Sequence, residues 1–425
     1  MLRDLTSPGV HALVGGASPG PRTTTVSARN QPAQAQNVAP SEPPAFTIEV
    51  ATDTRLLALQ SDWENLLAGA DSANAFMNPA LVRLASQFYP ARSCCALLAW
   101  RSDGTHPRLV GIWAFAIGRA RRSVIPVSML TAPPMPHGYL ASPVIDRDCL
   151  DGVLAAMLAH ISGDATLPKI VSLENMGAGT ATMAALSRVL AARGSPSCIF
   201  AQWQRPKLAS DLGGNSYMER ALSSSSRKKL RQHRRRLSDK GALRFGVATG
   251  VDAVGQAFED FLTLEAAGWK GRRRTALLSH ASDAHFARAM IATLAGQGHA
   301  YIYSLTLDAK PVSMQVVLRA GRAAFTWKTA YDESFADFSP GMLLLEDYTA
   351  AFLADDDIGC VDSCAFDESG YMAAWTERAA IARLWFNARP GRSPAFALLS
   401  RLQAIRLALR KYAKAIYHSP LLHWF

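Results

Sequence analysis

Residues 300–348 read AYIYSLTLDAKPVSMQVVLRAGRAAFTWKTAYDESFADFSPGMLLLEDY. Three runs alternate at the two-residue period of a strand. Tyr301, Tyr303, Leu305 and Leu307 share one face of the first run, and Val312, Met314, Val316 and Leu318 one face of the second. Phe325, Trp327 and Tyr331 share one face of the third, which leaves Thr326, Lys328 and Asp332 on the other. Asp308-Ala309-Lys310 and Ala320-Gly321-Arg322 supply the hairpin turns. Ser339-Pro340-Gly341 then opens an apolar helix that starts at Met342. Ser before Pro before a periodic run predicts Ser as N-cap and Pro at the first helical position.

That helix start has no carboxylate in its first turn; Glu346 and Asp347 come later. The first amides of a helix lack intrahelical acceptors and carry partial positive charge. The amides of Gly341 and its successors can therefore meet an anion from outside, and Gly341 has no side chain to block the approach. An ordinary cap with an apolar first turn is the alternative.

Working outward, 425 residues predict two domains, and 49% apolar content is ample for large cores. No run of 18 apolar residues occurs, so no spanning helix is expected. The formal charge of +11 and pI near 9.5 favour anionic partners: nucleotides, nucleic acid or acidic lipid. The excess is concentrated in Arg227, Lys228, Lys229, Arg231, Arg234, Arg235, Arg236 and Lys240, on a helix predicted to follow Ser223. Only Leu222, Leu230 and Leu237 form an apolar stripe there. The six scattered cysteines read as free thiols in a reducing, cytoplasmic setting. The N-terminus has no apolar h-region, so no secretory signal is expected. Metal motifs, a Walker loop, a dinucleotide fingerprint and a Ser-His-Asp elbow are absent from the sequence, so no metal is expected.

The chain divides into a disordered leader (1–44), a first α/β domain (45–205), a basic helical linker (206–241), a second domain (242–390) and a basic amphipathic tail (391–425). The first domain is expected to interleave strands at 46–51, 94–101, 108–118, 123–130, 170–173 and 198–203 with helices over 56–67, 79–88, 149–161 and 180–192. A proline-rich loop, 132–138, carries His137 and Gly138 and could serve acceptor recognition or be a plain turn. In the tail, Leu398, Leu402, Ile405, Leu409, Tyr412 and Ile416 repeat at helical steps among Arg401, Arg406, Arg410, Lys411 and Lys414. Two readings stand open: docking on the second domain, or peripheral contact with an anionic membrane through 396–417.

Four groups of residues carry a family resemblance: Leu264-Glu265-Ala266-Ala267-Gly268-Trp269-Lys270-Gly271, Ala330-Tyr331-Asp332-Glu333-Ser334-Phe335-Ala336, Ser339-Pro340-Gly341, and Gly370-Tyr371 with Trp375. With the serine-then-arginine helix before them, they make the second half resemble the GNAT superfamily of acyl-CoA transferases. More specifically it resembles the cellulose-biosynthesis (CelD-like) acetyltransferase branch, related to Fem-type double-GNAT transferases. The likeness covers about residues 215–390 well and the first domain more loosely. It implies tandem GNAT-like α/β (mixed-sheet) domains, acetyl-CoA or another acyl-CoA as co-substrate, and the CoA diphosphate at Ser339, Pro340, Gly341 and Met342. It also makes Tyr371 the acid that protonates the leaving thiolate. The chain departs from the family pattern at Met372, where the branch often has Lys, and in lacking glycines spaced by single residues before the helix.

Thioester acyl transfer needs a base for the acceptor, a polarised carbonyl and a proton for sulfur. Asp332, Asp362 and Glu265 are the candidate bases, each with a solvated or capping role as the alternative. Lys328 is a candidate to attract phosphate or to pair with Asp332. Glu265, Trp269 and Lys270 are candidates for substrate contact. The expected function is N- or O-acyl transfer from acyl-CoA to a sugar or amino-sugar acceptor in exopolysaccharide or envelope synthesis. Two alternatives stand beside it. One is a Fem-type transferase using aminoacyl-tRNA, whose backbone the arginine helix would meet. The other is an inactive GNAT-fold scaffold at the inner membrane.

Overall fold

The computed structural model describes residues 46–102, 106–119, 127–366 and 368–417. The leader and the start of the strand expected at 123 lie outside the described residues. The alternating runs of the first half form β1 (Phe46–Ala51), β2 (Ser93–Ser102), β3 (Pro107–Arg119), β4 (Ser128–Ala132), β5 (Val144–Ile145), β6 (Ile170–Gly177) and β7 (Ser197–Leu208). Those of the second half form β8 (Leu243–Ala248), β9 (Ala300–Leu307), β10 (Lys310–Ala320), β11 (Ala323–Tyr331), β12 (Cys360–Asp362) and β13 (Glu377–Asn387).

Twelve of these strands make one sheet in the order β1-β2-β3-β4-β6-β13-β7-β12-β11-β10-β9-β8, with β5 beside β3. Read from either edge the pattern is the same. Three antiparallel pairings lead to a parallel pair, β4 with β6 or β11 with β12, and then to an antiparallel strand at the centre. The sheet is thus two copies of one six-stranded unit. The central strands are exchanged: β7 completes the second unit on β12, and β13 completes the first on β6. Their own pairing, from Glu377↔Lys207 to Phe386↔Ser197, fuses the units and leaves neither with an open inner edge.

Helices cover both faces. Val251–Ala267 and Ala281–Gly296 lay Val254, Phe258, Leu262, Phe286 and Ile291 against Ile302, Met314, Val316, Leu318 and Phe325. On the other face, Ser224–Ser238 and Pro340–Leu353 bury Leu230, Leu237, Leu343 and Tyr348 against Tyr303, Leu305, Val317 and Ala324. The expected stripe of the arginine helix is therefore right in kind. Several of its charges are engaged: Arg234 bonds Glu346 (2.9 Å) and Asp347 (2.8 Å), and Arg227 bonds Glu219 (3.2 Å).

Two bulges correct the expected faces. The β9–β10 register skips Val312, which turns to the opposite side from Met314, Val316 and Leu318. The β10–β11 register skips Trp327, since Val316 faces Lys328 while Val317 faces Thr326. Trp327 and Lys328 consequently point the same way. The Trp327 indole donates to the His137 carbonyl (2.9 Å), and the Lys328 ammonium lies 3.3 Å from His137 Nδ1.

Candidate functional site

The two parallel strands of the second unit part almost as soon as they meet. Along β11, β12 pairs with Ala323, Ala324 and Phe325 only. From Thr326 to Tyr331, β11 has no strand on that side, and a wedge opens. The chain leaves β11 through a 3-10 turn, Glu333–Phe338, and enters the helix Pro340–Leu353. Asp332 caps that turn, accepting from the Ser334 amide (2.9 Å) and hydroxyl (2.7 Å). Ser339 joins turn to helix in the left-handed conformation (φ 49°, ψ 54°), which costs a non-glycine residue roughly 1–2 kcal/mol. It holds the N-cap position, as expected, but its side chain caps nothing; the backbone reversal turns the hydroxyl away from that task. The first turn has no acid, and a Cβ built on Gly341 would meet nothing within 4 Å. The helix start is open.

A cavity of about 540 Å³ lies between this start and the wedge. Thr329, Ala330 and Tyr331 of β11 form one wall, and Ser339, Pro340, Gly341 and Met342 another. Leu264, Glu265, Trp269 and Lys270 close a third, and Tyr371 stands at the end. Eight residues singled out in the sequence thus meet in one place. The third wall is pinned by Glu333, which accepts from the Trp269 amide and from Arg272, each at 2.6 Å. Gly271 is obligatory there, because a Cβ would lie 1.8 Å from the Ala266 carbonyl oxygen.

Tyr371 opens a short 3-10 turn, Tyr371–Ala374, and its hydroxyl meets the side chains of Thr329 and Tyr348. Burial pushes the phenol above its ordinary range, while these two hydrogen bonds pull it down. It stays protonated at neutral pH and is able to give a proton. Met372 lies outside the cavity, buried, its sulfur 3.4 Å from the Tyr348 hydroxyl.

The expected bases are each occupied. Glu265 is 2% exposed, with one oxygen on Lys270 (3.0 Å) and the other on the Leu277 amide (2.8 Å). Lys270 also donates to the Thr329 carbonyl (2.6 Å), so this pair ties the helix wall to β11. Asp332 serves the turn and does not line the cavity. Asp362 does not face it either. It binds the buried Arg205 guanidinium (2.5 Å) and accepts from the Cys364 amide, lining a separate cavity of about 970 Å³ with Lys207, Arg322 and Arg378. The reason is β12's brevity: Asp362 is its last residue and turns toward β7 and β13, not along β11.

Lys328 is also displaced from its expected phosphate or Asp332 partner, because the bulge at Trp327 rotates it. It joins a row of groups that spacing alone hid. Tyr89 donates to Asp283 Oδ1 (2.7 Å), Asp283 Oδ2 lies 3.3 Å from His137 Nε2, and His137 Nδ1 faces Lys328. The His137 bond and then Tyr89 hold the Asp283 carboxyl at about 2. Ionised, it only accepts, so Nε2 carries the hydrogen and Nδ1 is the acceptor for Lys328. Burial lowers His137 despite Asp283, and burial, helped by Lys270, brings Lys328 down to about 8. His137 adopts a left-handed backbone (φ 60°) and also lines a cleft of about 630 Å³ with Met135, Tyr139, Asn175 and Phe366. The signal in sequence was the proline-rich loop around His137; the rest of the row comes from the residue that ends the helix Pro79–Phe88, from the helix Ala281–Gly296 and from β11. No group of metal-binding side chains occurs among the described residues.

Fold and sheet order together define two GNAT-like units in tandem, with the cavity in the second. Residues 224–371 match the family model of the acetyltransferase (GNAT) domain. Among solved structures, FemX aligns over 83% of this chain and 100% of its own at 9% identity, with a TM-score of 0.54. The C-terminal domain of a protein described as a lysylphosphatidylglycerol synthetase, from Agrobacterium fabrum, aligns over 82% and 96% at 12% identity and a TM-score of 0.48. A conserved protein of unknown function from Bacteroides thetaiotaomicron aligns over 81% and 99% at 12% identity and 0.45. No curated protein matches the chain in sequence. GNAT domains generally use acyl-CoA, and the open helix start, the apolar wedge and the protonated Tyr371 suit such a co-substrate.

Proposed function

We infer that the protein transfers an acyl group, acetyl in the simplest case, from CoA to an amine or hydroxyl of a sugar or amino-sugar acceptor. The observation that carries this is the uncapped start of Pro340–Leu353 at the mouth of a cavity that ends at Tyr371. The diphosphate would rest on the amides at Gly341. The acceptor's nitrogen or oxygen attacks the thioester carbonyl, the carbon–sulfur bond breaks, and the thiolate takes the Tyr371 proton. With Asp332, Asp362 and Glu265 all engaged, the acceptor's proton passes to the Lys328 amine, which His137 and Asp283 position. Lys328 does not itself line the cavity; it lies behind the wall residue Thr329, and its amine, brought down to about 8, is the base this reading assigns. The choice of a sugar acceptor, in exopolysaccharide or envelope synthesis, rests on the resemblance of the 264–271, 330–336 and 339–341 segments to the CelD-like branch.

A CoA-release assay with acetyl-CoA and a panel of amino sugars tests this reading. Turnover should rise with pH through about 8 and lose that inflection in Lys328→Met. Absence of both acyl-CoA binding and acceptor-dependent release would overturn it.

One observation favours a second reading, transfer from aminoacyl-tRNA. Arg236 and Lys240 lie over the Phe338 ring, at 5.4 and 5.5 Å, one residue before Ser339. Lys228, Lys229, Arg231 and Arg235 are exposed on the same helix. A polyanion would bind there with a steep salt dependence, whereas CoA would not. Copurifying RNA that survives moderate salt would support the tRNA donor.

A further inference from the structure

The last described helix, Pro394–Tyr417, has two apolar faces. Phe396, Leu399 and Gln403 are buried on the body, Phe396 against Met129 and Trp385. These are not the residues whose repeat marks the tail in the sequence. Leu398, Ile405 and Leu409 point away from the body and are 57%, 56% and 64% exposed. Steps of seven and four residues bring them within about 20° of one line, given about 100° per residue. Leu402, half-buried, lies on the same stripe. Docking therefore does not account for the outer face; a helix that only packs on its own protein shows water a polar one.

Charge names what the stripe meets. From Pro394 to Tyr417 the sequence has no Asp or Glu, while Arg401, Arg406, Arg410, Lys411 and Lys414 fall in the same span. Arg401 and Arg406 flank the apolar line on its two sides by the same 100° rule. A second copy of this helix would set arginine against arginine with no acid to answer. An acidic bilayer offers apolar chains below anionic headgroups, which matches both parts of the pattern. No helix among the described residues is long and apolar enough to cross a membrane, so the contact is along the surface.

We propose that the outer face of Pro394–Tyr417 docks on anionic lipid, seating Leu398, Ile405 and Leu409 among the acyl chains and Arg401 on a headgroup phosphate. This does not rest on the identity of the acceptor or the acyl donor. The test is flotation of the full-length protein with vesicles of phosphatidylcholine alone and of phosphatidylcholine with phosphatidylglycerol. Binding is expected only with phosphatidylglycerol and should fall with salt. The double substitution Ile405→Asp with Leu409→Asp should abolish it without changing the thermal melt. Arg401→Gln should weaken it roughly fivefold. Several results would overturn the proposal. These are no flotation of the native chain, equal binding to both vesicles, native binding by the aspartate pair, or a self-association that the aspartate pair dissolves.

Discussion

Gly341→Asp isolates the helix start from everything around it. A Cβ there meets nothing within 4 Å, so the side chain fits without moving a neighbour. An acid in the first turn also answers the helix dipole, worth about 0.3–1 kcal/mol to the fold. The variant should therefore melt at or slightly above the native temperature. Binding of a diphosphate should suffer for two reasons. The carboxylate occupies the approach to the amides, and it repels the incoming charge. At about 5 Å, with an effective dielectric near 20, one pair of unit charges repels by roughly 3 kcal/mol. That is on the order of a hundredfold in Kd, less at high salt. Gly341→Asn has the same shape without the charge and should lose much less. The assay is calorimetric titration with acetyl-CoA, repeated at two ionic strengths. If Gly341→Asp binds acetyl-CoA as the native protein does while keeping its fold, no diphosphate rests on this helix.

Other expectations follow from the same geometry. Tyr371→Phe should leave acyl-CoA affinity unchanged and lower kcat by roughly 10²–10⁴, the usual loss on removing a general acid, as read from CoA release. Asp362→Ala should strand the buried Arg205 charge and cost about 3–5 kcal/mol in urea unfolding; a catalytic residue would lower turnover with stability intact. Asp283, held at about 2 against an ordinary 3.8, contributes stability that is present above pH 3.8 and lost as pH falls toward 2. Asp283→Asn should therefore cost about 1–2 kcal/mol at pH 7 and close to nothing at pH 2, measured by denaturant titration at both.

Structure is legible in the sequence where local physics decides it. The meander and the Ser339-Pro340-Gly341 helix start follow from periodicity and turn chemistry, and both lie where the sequence put them. The gathering of Glu265, Trp269, Lys270 and Tyr371 around that start was legible only through the resemblance. Three features escaped. The bulges at Val312 and Trp327 insert one residue each without a glycine to mark them; the first turns Val312 and the second Lys328 to the face opposite the one alternation predicts. The exchange of β7 and β13 is a choice among equivalent inner edges, made by pairing across 170 residues or more, which alternation within a strand cannot express. The Tyr89–Asp283–His137–Lys328 row draws its members from four separate stretches; His137 and Lys328 stood out in theirs, but nothing local joined them to each other or to Tyr89 and Asp283.

The most direct measurement is a crystal structure of the protein grown with CoA. Diphosphate oxygens should lie within hydrogen-bond distance of the Gly341 amide, and the thiol in the wedge beside Tyr371. CoA bound instead in the Lys207–Arg322 cavity, or density at neither place under saturating ligand, would contradict it.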